Sequence, residues 1–149
     1  MQKEHVLIVE DDPVMRLFLS NFLCDSYQVV MSENGLDALT YLQNEDPPDI
    51  IIMDLSMPGM DGFELISTIR SSITLQAVPI LVLSGSRQSE VRINVLSNGA
   101  DDFMMKPFNP DELQIRVANL IARSSFLSNL KVQEKPSGST SIATSPARI

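Results

Sequence analysis

The sequence predicts an α/β fold: a doubly wound, five-stranded parallel sheet in the order 2-1-3-4-5 with five helices. Three observations predict it. Five apolar runs punctuate the chain, at Val6–Val9, Gln28–Met31, Ile50–Met53, Ile80–Leu83 and Phe103–Met105. Four of them are continuous rather than alternating, as strands covered on both faces are. Between consecutive runs lies one segment of helical periodicity, and right-handed strand–helix–strand crossovers then build a parallel sheet with helices on both sides.

Each element carries its own signals. Val6–Val9 passes straight into Glu10-Asp11-Asp12. Asp12 followed by Pro13 reads as an N-cap with proline at the first helical position. Met15, Phe18, Leu19, Phe22 and Leu23 recur at i, i+3, i+4, i+7 and i+8, the stripe of an amphipathic helix. The second run, with Tyr27, Val29 and Val30, is the weakest strand. Asn34-Gly35 opens the second helix, marked by Ala38, Tyr41 and Leu42. The third run ends at Asp54, and Ile66, Ile69 and Ile73 mark the helix after it. The fourth ends at Ser84; Val91, Val95 and Leu96 mark the next helix, closed by Asn98-Gly99. The fifth precedes Lys106, and Leu113, Val117, Leu120 and Ile121 follow Pro110 on the last helix.

The 149 residues suit one domain, over 1–123, followed at 124–149 by a helix extension and a Ser/Thr/Pro-rich disordered tail or linker. "SSFLSNLKV" extends the last helix by a turn or two. The net charge is −8, and 18 of the 19 acidic residues lie in 1–123, which argues against direct nucleic-acid binding by this domain. No run of about 18 apolar residues spans a membrane. The start, "MQKEHVLIV", lacks the apolar core of a signal peptide. The lone Cys24 has no internal disulfide partner, and together these features point to the cytoplasm. Cys24 reads as a small apolar filler on the first helix, and His5 as a surface residue.

The polar residues that follow the strands carry the chemistry. In a parallel sheet the carboxyl ends share one edge, so Glu10, Asp11, Asp54, Ser84 and Lys106 converge where the strand order reverses. Three carboxylates repel one another without a cation. Mg²⁺ suits them, because it takes one or two carboxylates and keeps waters for phosphate oxygens. With an ammonium and a hydroxyl nearby, Asp54 becomes a candidate nucleophile for a phosphoryl group. Mg²⁺, Lys106, the Ser84 hydroxyl and the backbone N–H of Gly85 would position and neutralise its oxygens. A phosphohydrolase using Asp54 would want a second acid two residues on for proton transfer; Ser56 stands there.

With "VEDD", "IIIMDLSMPGMDG", "LSGS" and "NGADDFMMKPF" in this order at the strand ends, the chain from about His5 to Arg123 resembles the receiver domain of two-component response regulators. The resemblance implies a flavodoxin-like sheet and a phosphoacceptor, not an enzyme, that takes part in its own phosphoryl transfer and dephosphorylation. It implies that Asp54 accepts phosphate from a histidine kinase or a histidine phosphotransfer protein. It implies Mg²⁺ held by Asp11 and Asp54, by the Ser56 carbonyl, and by Glu10 through water. Ser84 and Lys106 would bind the phosphoryl group, with Ser84 and Phe103 as switch residues and a cis peptide at Lys106-Pro107. Partner binding by a downstream protein would change at the face of helix 4, strand 5 and helix 5. Arg92, Asp101, Asp102, Glu112 and Arg116 resemble, incompletely, a dimer face there, so a monomer or a weak phosphorylation-dependent dimer is expected. Glu10, Ser84 and Phe103 depart from the commoner Asp, Thr and Tyr.

Overall fold

The computed structural model describes residues 2–86 and 88–134. The chain runs β1 (His5–Val9), α1 (Pro13–Leu23), β2 (Gln28–Ser32), α2 (Gly35–Asn44), β3 (Ile50–Asp54), α3 (Gly62–Ser71), β4 (Ile80–Ser84), α4 (Ser89–Ser97), β5 (Asp102–Met105) and α5 (Pro110–Gln133). All strands pair in parallel, in the order β2-β1-β3-β4-β5. This is the expected doubly wound architecture.

The continuous apolar runs are explained by two cores. Along β1, Val6 and Ile8 pack with Leu19, Leu23, Leu113 and Val117 of α1 and α5. Leu7 and Val9 point the other way, to Ala38, Leu65, Ile66 and Val95 of α2, α3 and α4. Strand side chains alternate between faces, so a strand apolar at every position needs both layers. The register aligns Val9 with Met53 and Asp54 with Leu83. The carboxyl ends of β1, β3 and β4 are therefore level.

Four helices begin on a capping side chain, α1 at Asp12 as expected, while Gln88 before α4 makes no side-chain cap bond. The Asp12 side chain accepts from Val14 N, Asn34 from Asp37 N, Asp61 from Glu64 N and Asn109 from Asp111 N. Arg70 locks the opposite end of the fold: Nε donates to Gly99 O at 2.8 Å, Nη1 to Val78 O at 2.7 Å, and Nη2 to Asp101 at 2.8 Å.

Several details differ from expectation. Ile73 lies beyond α3, in a turn, and is exposed rather than on the helix stripe. Of the residues marking α4 only Val95 is fully buried, while Leu96 is exposed. Cys24 is exposed at the C-cap of α1, not packed as a filler. His5 is half-buried, with Nε2 3.0 Å from the Tyr41 hydroxyl. α5 runs unbroken to Gln133, longer than the expected turn or two past Arg123. The Ser/Thr/Pro-rich stretch from 135 onward lies outside the described residues. Among the described residues no helix is long and apolar enough to cross a membrane.

Candidate functional site

The β3–α3 connection is shaped by a close backbone approach. An added Cβ on Gly62 would lie 2.8 Å from Leu55 Cα, and Gly62 N donates to Leu55 O at 2.9 Å. That contact folds the loop back beside the end of β3. Asp54 Oδ1 accepts from Leu55 N at 2.7 Å and, more weakly, from Ser56 N at 3.4 Å. Its Oδ2 faces Lys106 Nζ at 3.4 Å.

Lys106 comes from the far side of the sheet, just past β5. Its backbone N donates to Ser84 O at 2.8 Å, which fixes the loop after β5 to the end of β4. The Lys106-Pro107 peptide is cis, as expected. The ammonium donates to both carboxylate oxygens of Glu10, at 3.2 and 3.1 Å. Glu10, only 2% exposed, is the one buried acid among the described residues. Burial first, then the negative charge of Asp54, pushes its carboxyl above the usual carboxylate range, and Asp11 adds to this while Lys106 opposes it.

Carboxylate oxygens of Glu10, Asp11 and Asp54 lie within 4.8 Å of one another. Lys106 neutralises one of three charges, and the rest of the cluster is hard oxygen donors. That donor set fits Mg²⁺, which prefers carboxylates and water over nitrogen or sulfur ligands. Ser56 is exposed in the loop beside Asp54.

Ser84 is buried, and its Oγ accepts from Ser86 N at 3.2 Å. It borders a cleft of about 580 Å³ with Ser56, Asp61, Phe63, Ser86 and Val91. Gly85 is exposed, with nothing within 4 Å of where a Cβ would stand. Phe103 is packed inward, 7% exposed, among the side chains between the sheet and α4. Four of the five charges of the expected dimer face, Asp101, Asp102, Glu112 and Arg116, are engaged within the chain. Arg116 holds Asp102 at 2.8 and 2.9 Å and Glu112 at 2.8 Å, and Asp101 holds Arg70. These carboxylates push the Arg116 guanidinium still higher in pKa, through the hydrogen bonds to Asp102 and then Glu112.

Sequence reasoning passed over Arg16, whose guanidinium touches the backbone of both Glu10 and Asp11. One signal pointed to it. A cation near the N-terminus of a helix opposes the macrodipole, so it needs another reason to be there.

The model of the response regulator receiver domain family matches residues 6–118. The sensor histidine kinase TmoS of Ectopseudomonas mendocina is 42% identical over 117 residues, 78% of this chain and 12% of that protein. The virulence transcriptional regulatory protein PhoP of Salmonella typhi is 40% identical over 132 residues, 88% of this chain and 58% of that one. The chain thus spans less than two thirds of either relative. A solved receiver domain of a Pseudomonas aeruginosa sensor histidine kinase superposes with a TM-score of 0.74 at 30% identity, over 80% of this chain and 98% of that one. That structure holds a magnesium ion coordinated in its active-site cleft.

Proposed function

Since the chain belongs to the response regulator receiver domain family, a family of phosphorylation-dependent signalling domains of two-component systems rather than of classical enzymes, we propose that Asp54 is its phosphoacceptor. The donor is a phosphohistidine of a histidine kinase or histidine phosphotransfer protein. Asp54 Oδ2 attacks phosphorus, the P–N bond to the histidine breaks, and a 4-aspartylphosphate forms. The carrying observation is the convergence on Asp54 of Lys106 at 3.4 Å and the Glu10 and Asp11 carboxylates.

Asp11 and Asp54, the Ser56 carbonyl and Glu10 through water would hold Mg²⁺, which supplies neutralisation of the phosphoryl oxygens when bound. Lys106 sits between Glu10 and Asp54, placed to turn its ammonium to a phosphoryl oxygen. The Ser84 hydroxyl donates to another, and the Gly85 amide lies on the same loop. Attack of water on the acyl phosphate in the same site returns Asp54 to its free state. Ser84, drawn to the phosphoryl group, and Phe103 behind it pass the change to α4, β5 and α5, where a downstream protein reads it. Residues 1–123 form the receiver unit, and 124–149 the helix extension and the tail or linker. An exposed free Cys24 suits a reducing compartment, the cytoplasm.

The test is acetyl phosphate with Mg²⁺. Wild type should gain one phosphoryl group by mass, labile to hydroxylamine, and Asp54→Asn should gain none. A stable phosphate on Ser84 or on the Ser-rich tail would overturn the assignment.

A further inference from the structure

Arg16 stands on the first turns of α1 and reaches back to the loop it follows. Nη1 donates to Glu10 O at 2.8 Å and to Asp11 O at 3.3 Å. Nη2 lies 3.6 Å from Glu33 Oε1 beyond β2. The arginine side chain is only 17% exposed, while that of Glu33 is 71% exposed. From the other direction, Glu10 N donates to Ser32 O at 3.1 Å. The Glu10 residue is thus held at its amide by the end of β2 and at its carbonyl by Arg16.

We propose that Arg16 is a positioning residue for the cation site: it fixes the backbone of Glu10 and Asp11 so that their carboxylates, with that of Asp54, face one point. The inference rests on the reading of the site given above. Side-chain direction follows backbone torsion, and two consecutive carbonyls tied to one rigid guanidinium leave the Glu10–Asp11 peptide little freedom. Both bonds come from Nη1, and the rigid guanidinium plane that points Nη2 at Glu33 orients that nitrogen. Lysine cannot replace it, because its ammonium is a compact, strongly hydrated charge on a flexible stem with no such plane. Arg16 touches no carboxylate of the cluster in this arrangement; it acts through the backbone, as groups behind metal ligands do.

Two consequences of the arginine oppose each other, and this makes the inference testable. As a cation it repels a divalent cation nearby; as a backbone clamp it prepares the site. If charge dominates, its removal tightens Mg²⁺ binding. If positioning dominates, its removal weakens binding, and a lysine that keeps the charge fails to restore it.

The experiment is calorimetric Mg²⁺ titration of the full chain as wild type, Arg16→Ala, Arg16→Lys and Glu33→Gln, with thermal unfolding of each metal-free protein alongside. Arg16→Ala and Arg16→Lys should each raise the Mg²⁺ Kd about tenfold, the lower end for lost groups behind a metal site. Glu33→Gln, removing an exposed pair, should change it by roughly twofold or less. Acetyl phosphate labelling should need correspondingly more Mg²⁺ but reach the wild-type rate at saturation. Unchanged or tighter Mg²⁺ binding in both Arg16 variants would overturn the inference, even with a lowered melting point, because Arg16 would then only stabilise the fold. Should Arg16→Ala not fold, Arg16→Lys decides alone. Wild type that binds no Mg²⁺ would instead sink the reading of the site itself.

Discussion

Asp11 is where the cost and use of the site meet. It adds a third carboxylate to Glu10 and Asp54, and among the described residues it pairs with no cation. Removing it relieves repulsion in the metal-free protein and deletes a ligand. Asp11→Asn should keep or raise the melting point without metal, lose the Mg²⁺-dependent rise seen in wild type, and take up no phosphate. A mutant that Mg²⁺ stabilises as well as wild type would contradict the assignment. The two tyrosines make a second prediction. Burial, then Glu4, raises the Tyr27 hydroxyl; burial, then Glu45 and Asp46, raises that of Tyr41, both from 10.0. The folded protein holds these protons more tightly than the unfolded chain. Their contribution to stability is therefore complete below about pH 10 and is lost as the pH rises through the folded values. With no tryptophan present, ultraviolet absorbance of tyrosinate isolates the transition. Denaturant midpoints should fall across it, and Tyr27→Phe should flatten that fall. Tyrosines that ionise as free phenols with no change in stability would refute it.

At the scale of elements, the strands were the most legible part of the sequence and the helices less so, for physical reasons. β1, β3 and β4 are covered on both faces and so spell themselves as apolar runs. β2 is an edge strand with Met31 exposed, and its signal is correspondingly thin. α4 buries only Val95 fully and exposes Ile93 and Leu96. Its stripe therefore could not be read as the others could. Arg16 was barely legible: a side chain bound to backbone carbonyls leaves no pattern of residue types, and only its unfavourable place near a helix N-terminus marked it. The β3–α3 loop yields a sharp prediction. Gly62→Ala would force a Cβ to 2.8 Å from Leu55 Cα, backbone that cannot swing aside. Overpacking of this kind costs about 1–3 kcal/mol. The strain also falls on the loop beside Asp54, so a denaturant midpoint lowered by that amount should come with slower acetyl phosphate labelling. Wild-type values for both would mean the loop absorbs the methyl.

Across the whole molecule, acidic charge and internal pairing bear on assembly and signalling. The chain carries a net −8, and Arg116 is committed to Asp102 and Glu112. Exposed pairs contribute only about 0–1 kcal/mol each, so re-pairing them across two copies gains little. Light scattering should find a monomer without phosphate, and a tight unphosphorylated dimer would contradict this. Signalling needs the two ends of the switch coupled, typically by about 1–3 kcal/mol. Ser84→Ala should still accept phosphate on Asp54 yet lose most of the phosphate-dependent gain in partner affinity. Equal gains in mutant and wild type would show that Ser84 does not transmit. The convergence of Asp54, Glu10, Asp11 and Lys106 was legible because topology dictates it, whereas Phe103 already lies inward, a state no motif reveals. α5, finally, makes its 24 residues one uninterrupted rod of ~36 Å at 1.5 Å per residue. Its first turns sit on the sheet through Leu113 and Val117, while the residues from Ser125 onward are exposed. Such a rod is a lever: with its seat reaching to Ile121, a tilt of about 5° carries the far end of the remaining arm, ~18 Å long, roughly 1.5 Å sideways, with no hinge between the two to absorb the motion.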